Sequence, residues 1–135
     1  MPGNSDLSEA HCSRLKLRRE FLLARRLGRK WVRPGMVVQA RPHQKQLDGD
    51  IHSLSVRLGF TVSKKVGNAV RRNRVKRRLR AVVEQVFPAN VCPGFDIVII
   101  GRATTATRSF ESLVNDLRQA LKKLKIFRDV PLSKD

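Results

Sequence analysis

The sequence predicts an α+β fold: one small domain in which helices pack on a small sheet. Three stretches carry that reading. Leu54, Val56, Leu58, Phe60 and Val62 alternate with Ser55, Arg57, Gly59, Thr61 and Ser63, the period of a strand with one buried and one wet face. Val75, Leu79, Val82, Val83 and Val86 fall instead at helical spacing, and so do Phe110, Leu113, Val114, Leu117, Leu121 and Leu124. With 135 residues and one plausible core, a single domain is expected, spanning 14–127 between a disordered tail at 1–13 and a frayed tail at 128–135.

In chain order, Arg14-Leu15-Lys16 is a short basic lead-in. Leu17 to Leu27 reads as an amphipathic helix ended by Gly28, with Arg18 a poor start signal. Pro34-Gly35 marks a turn, Met36 to Arg41 a strand, and Pro42 to Gly49 a polar hairpin loop. After the alternating strand, Asn68 is a good N-cap for a helix that Pro88 ends. Asn90 to Gly94 is a turn-rich loop. Phe95 to Gly101 is nearly all apolar, as in a strand covered on both faces. Ser109 to Leu124 is the last helix, with Glu111 in its first turn and Lys122, Lys123 and Lys125 near its end, each sign suited to the helix dipole. Phe127 adds one further apolar contact.

Charge narrows the function. Lys and Arg number 29 against 11 Asp and Glu, a formal net charge of +18. Such a chain repels itself when compact and suits a polyanionic partner. Nucleic acid is favoured over a membrane, because the longest aliphatic run, Ile97 to Ile100, is far too short to span a bilayer. The first thirteen residues are polar and show no secretory signal, and Cys12 and Cys92 lack metal-like spacing; a cytosolic, reducing setting is expected.

The charge is concentrated from Lys64 to Arg80, where nine of seventeen residues are Lys or Arg and none is acidic. At about 100° per residue, Asn73, Arg74, Lys76, Arg77 and Arg80 project opposite the apolar stripe of that helix. The C-terminal half anchors the helix while the N-terminal half presents cations, for which a phosphate backbone is the natural counter-ion. A solvated charged face is the plainer alternative.

This stretch resembles the signature of the bacterial ribonuclease P protein component: Ala69, Arg72, Asn73, Arg74, Val75, Lys76, Arg77, Leu79 and Arg80, preceded by Val62 to Asn68. The resemblance covers about Arg14 to Ile126. It implies a four-stranded mixed sheet with about three helices, in α-β-β-β-α-β-α order, and a left-handed crossover between parallel strands through the basic helix. It further implies that a catalytic RNA subunit holds Mg²⁺ and removes the 5′ leader of precursor tRNA. The protein would bind that RNA and cradle the single-stranded leader between its first helix and the sheet. The implied partners are ribonuclease P RNA and precursor tRNA, with no membrane and no protein partner required. By resemblance, RNA is bound by Arg14, Lys64, Lys65, Asn68, Arg72, Asn73, Arg74, Lys76, Arg77, Arg78 and Arg80. The leader cleft takes Phe21, Arg25, Gln39, Arg72 and Asn73. Two of these depart from the family pattern, since Arg25 and Gln39 stand where aromatics are usual and the chain has no Tyr. Simple core packing would account equally for Phe21.

Nothing in the chain reads as a nuclease centre of its own. His11, His43 and His52 are scattered, and Asp48 and Asp50 at a probable loop tip make a poor metal site. A ribosomal or other structural RNA-binding protein shares the charge and size and is the alternative reading. A DNA-binding helix-turn-helix is disfavoured by the extended strand before the basic helix.

Overall fold

A computed structural model describes residues 11–49, 55–87 and 90–128. Five strands form one mixed sheet in the order β1-β4-β5-β3-β2. They are β1 (His11–Arg14), β2 (Arg29–Val32), β3 (Met36–Pro42), β4 (Ser55–Thr61) and β5 (Phe95–Gly101). The helices are α1 (Arg18–Leu27), the single turn α2 (Lys45–Asp48), α3 (Ala69–Val86) and α4 (Phe110–Lys123). Short 3₁₀ turns at Lys64–Val66 and Ala103–Ala106 precede α3 and α4.

The sheet has one strand more than the four implied, and β1 takes in the end of the expected 1–13 tail together with Arg14 of the basic lead-in. β1 pairs in parallel along β4, His11 opposite Ser55 and Arg14 opposite Leu58, because β4 offers an edge of backbone donors and acceptors. Leu15, the next residue, is buried and secures that pairing. β2 is antiparallel to β3, and all four of its residues are exposed, so no alternation marks it in the sequence. The element order therefore begins with a strand. β4 and β5 are parallel and joined through α3, the crossover topology that the resemblance implies. β5 lies centrally between β4 and β3, which explains its apolar run.

Successive side chains of a strand face opposite sides. Ile97 and Ile99 of β5, Met36, Val38 and Ala40 of β3, and Val56 and Leu58 of β4 join Val75, Leu79, Val82, Val83 and Val86 of α3 and Leu113, Leu117 and Leu121 of α4 in the main core. The apolar stripe predicted for α3 is thus buried throughout. In α4 the predicted stripe holds except for Phe110, which is exposed at the first turn. Phe127 bridges to Val91 and packs on this core.

The opposite sheet face carries only a small cluster, Leu15, Ala24 and Val98, with Phe21 and Ile100 packed against it. α1 lies over this face. Leu17 offers α1 no polar cap; Glu20 reaches back instead, its Oε1 accepting from the Lys16 and Leu17 amides at 2.9 Å. The predicted 42–49 loop contains α2. Pro88, Asp50 and His52 lie outside the described residues, as do residues 1–10 of the first tail and 129–135 of the second.

Candidate nucleic-acid interface

Asn68 caps α3 as the sequence predicts, its side chain accepting from the Arg71 amide at 2.9 Å. Asn73, Arg74, Arg77 and Arg80 are exposed and Lys76 is half-buried. None of these cations has an ion pair among the described residues. Lys64 and Lys65 stand exposed on the 3₁₀ turn that leads into the same helix end. Two arginines turn inward. Arg78 donates to the Thr105 carbonyl at 2.8 Å and braces the turn after β5; Arg72 is half-buried. Arg71, which the sequence reading leaves out, is exposed and reaches the Ala103 carbonyl at 3.4 Å. Arg14 ends β1 with its guanidinium 5.0 Å from the centre of the Phe60 ring, a cation–π contact at the sheet edge.

Of the six described acids, Glu84 on the C-terminal half of α3 and Glu111 of α4 are exposed and have no ion pair, and the other four are engaged elsewhere. Asp116 of α4 is fully buried and binds Arg108, the Arg33 side chain and the Gly35 amide. Asp96, Asp48 and Glu20 are held by arginines on the α1 side of the sheet. Partition of the acids leaves the exposed end of α3 cationic.

Between α1 and the sheet runs a cleft of about 310 Å³, lined by Phe21, Leu22, Arg25, Gln39, Thr61, Val98 and Ile100. Three residues predicted from two elements, Phe21 and Arg25 of α1 and Gln39 of β3, therefore meet in one groove. Phe21 and Arg25 share a helix face because they are one turn apart. Gln39 faces them because it alternates with the core residues Val38 and Ala40. Phe21 is neither purely core nor purely surface: it packs on the small cluster and lines the groove. The ring lies so close to β4 that a Cβ on Gly59 would stand 2.5 Å from it, so only glycine fits there. Arg72 and Asn73, expected at the rim, are not among the lining residues. Leu22, Thr61, Val98 and Ile100 are additions that the sequence reading did not name; alternation along β4 and β5 places the last three on this face.

Next to the groove, two residues along from Gln39 and Val98 on the same strands, lies a polar network. Arg41, Asp96 and Arg57 stand in register across β3, β5 and β4. Asp96 is fully buried and receives Arg57 through two bonds, Nε at 2.7 Å and Nη2 at 2.8 Å, Arg41 Nη2 at 2.9 Å, and His43 Nε2 at 2.8 Å. Burial opposes its ionisation, yet the bonds from His43, Arg57 and Arg41 prevail and hold its pKa at about 2. Asp48, read from the sequence as a loop-tip acid, bonds Arg41 and Arg57 here; burial again opposes and Arg41 leads the lowering of its pKa. Arg57 extends to Glu20 Oε2 of α1 at 3.0 Å. A fully buried arginine such as Arg41 leaves no mark in a strand pattern. Of the two described histidines, His43 belongs to this network and His11 opens β1, and neither is among the residues that line the cleft.

The family model described as Ribonuclease P matches residues 10–125. The ribonuclease P protein component of Paramagnetospirillum magneticum is 50% identical over 115 residues, covering 85% of this chain and 84% of that one. That of Ruegeria pomeroyi is 47% identical over 124 residues, covering 91% and 94%. Among solved structures, the RNase P protein of Staphylococcus aureus superposes with a TM-score of 0.66 at 30% identity, over 85% of this chain and 97% of that one. The protein from Thermotoga maritima gives 0.62 at 33% identity, over 83% and 94%. With a family model matching most of its length and relatives at half identity, the chain belongs to the Ribonuclease P protein family.

Proposed function

We propose that this chain is the protein subunit of ribonuclease P, which binds the catalytic RNA through the exposed face of α3 and the single-stranded 5′ leader of precursor tRNA in the cleft under α1. The supporting observation is the pairing of two surfaces: unpaired cations on α3 and, separately, a groove with one aromatic, one arginine and an amide. Phosphates suit the first. The second suits unpaired nucleotides, whose bases stack on an aromatic face and whose edges accept or donate to an amide. A stacked base is worth about 1–3 kcal/mol. Arg25 can replace part of a missing aromatic, because a guanidinium stacks on a base and also pairs with phosphate.

Hydrolysis of the leader phosphodiester is assigned to the RNA subunit with its Mg²⁺. The described residues of this chain do not fit a metal. Among those described, no three His, Cys, Asp or Glu side chains converge as ligands, and the clustered acids Glu20, Asp48 and Asp96 are each bonded to arginine. The protein's part is binding: neutralising phosphates of the two RNAs and holding the leader in register with the cleavage site. A cytoplasmic setting, with no membrane and no obligatory protein partner, belongs to the same proposal; no described helix is long and apolar enough to cross a membrane.

Reconstitution tests it. At low Mg²⁺, adding the chain to ribonuclease P RNA should raise cleavage of precursor tRNA, while the chain alone should cleave nothing. A folded chain that gives no rise would remove the reading in favour of a structural RNA-binding role.

A further inference from the structure

The wall of the cleft is attached to its floor by very little apolar surface. α1 buries only Ala24, and the cluster that it joins is confined to Leu15, Ala24 and Val98 with Phe21 and Ile100 at its margin. The firmest polar link between α1 and the strands is Glu20, the residue immediately before Phe21. Its two oxygens have separate tasks: Oε1 accepts from the Lys16 and Leu17 amides and closes the first turn, and Oε2 accepts from Arg57 Nη1. Arg57 is in turn fixed by two bonds to the fully buried Asp96, which also binds Arg41 across the sheet. Arg57 and Glu20 are themselves largely buried, with side-chain exposures of 18% and 15%. Arg57 lies on the same face of β4 as Gly59, over which the Phe21 ring sits.

We propose that Glu20 is a positioning residue, and that the chain Glu20–Arg57–Asp96 is a strut that sets the separation of α1 from the sheet and so the width of the leader cleft. The inference rests on the leader-cleft reading above and adds what holds the cleft open to one size. A hydrophobic seal would do this by filling the groove. An ion-pair strut beside the groove leaves it free for a base, and bidentate Arg–carboxylate geometry fixes direction as well as distance.

Glu20→Gln separates the strut from the cap. Its carbonyl oxygen still accepts from the Lys16 and Leu17 amides, but its amide group meets Arg57 donor to donor. Affinity of the reconstituted holoenzyme is measured for precursor tRNAs of increasing leader length and for mature tRNA, for the parent, Glu20→Gln and Phe21→Ala. Glu20→Gln is expected to reduce the affinity gained from the leader about tenfold or more, the value of one charged hydrogen bond, with mature tRNA binding and the chemical step unchanged. A merely structural role would instead lower all substrates together. In parallel, nitroxide labels at Leu22→Cys and Val32→Cys, in a Cys12→Ser, Cys92→Ala background, report the α1–sheet distance in the free protein; Glu20→Gln should broaden it. If Phe21→Ala loses leader dependence and Glu20→Gln keeps it, the strut is overturned and the cleft stands. If Phe21→Ala keeps it, the cleft is not the leader site and the label distances alone decide the strut. An unbroadened distribution overturns it.

Discussion

On one side of the sheet, Met36, Val38, Val56, Ile97 and Ile99 meet α3 and α4 in a continuous apolar core; on the other, α1 joins a cluster of three buried apolar residues, one of them its own Ala24, beside a network of arginines and carboxylates. The first side is filled against the sheet, and the hollow lined by Gln85, Phe110 and Arg118 lies between α3 and α4 and touches no strand. The second is held by charge beside an open groove. The difference shows how a small domain separates its tasks. Burial of α3's apolar stripe stabilises the fold and at the same time fixes the direction in which its cations point. The thinly packed face sacrifices apolar contact and keeps a groove in which a base could lie.

The largest expected effect breaks the filled side. Leu79 is fully buried between α3 and the sheet, and Leu79→Ala should cost about 2–5 kcal/mol of folding free energy. Denaturant unfolding of the free protein measures it, and a loss below 1 kcal/mol would mean that the two sides contribute alike. On the polar side, acid is the probe. The folded pKa of Asp96 is about 2, below its usual 3.8. A lowered folded pKa contributes stability that is full above the unfolded pKa and is lost as pH falls through the folded one, here from about 4 to about 2. The amount is about 2 kcal/mol, and Asp96→Asn should flatten that part of the stability–pH curve. An unaltered acid limb would place the acid sensitivity elsewhere.

Exposed cations should affect binding and not folding. With about six phosphate contacts, log K against log salt should fall with a slope of about −4 to −5. Arg74→Ala with Arg77→Ala should make it shallower by about one to two units and leave stability within about 0.5 kcal/mol. An unchanged slope would take these side chains off the RNA. The smallest effect is expected from His43. It bonds Asp96 but lies outside the cleft, so His43→Ala should leave holoenzyme turnover within a few-fold of the parent. A loss of about a hundredfold in the chemical step, with RNA binding intact, would assign chemistry to the protein.

Residues 54–63, 75–86 and 110–124 were legible as elements because burial on one face imposes a period, and a period survives in sequence without knowledge of what lies opposite. The cationic face of α3 followed from the same stripe, since residues opposite an anchored face must be exposed. The cleft was legible only as a resemblance, from Phe21 and Arg25 on one element and Gln39 on another. What the tertiary structure alone decided is everything that depends on a neighbour's edge or charge. β1 and β2 exist because β4 and β3 offer unpaired backbone to polar segments with no pattern of their own. Glu20 caps α1 from inside the helix, where no capping residue precedes it. Arg41, Asp48, Arg57 and Asp96 read as ordinary polar residues in a strand or loop; only the register of β3, β5 and β4 brings them together, and long-range register is a property of paired strands that no single strand's sequence contains.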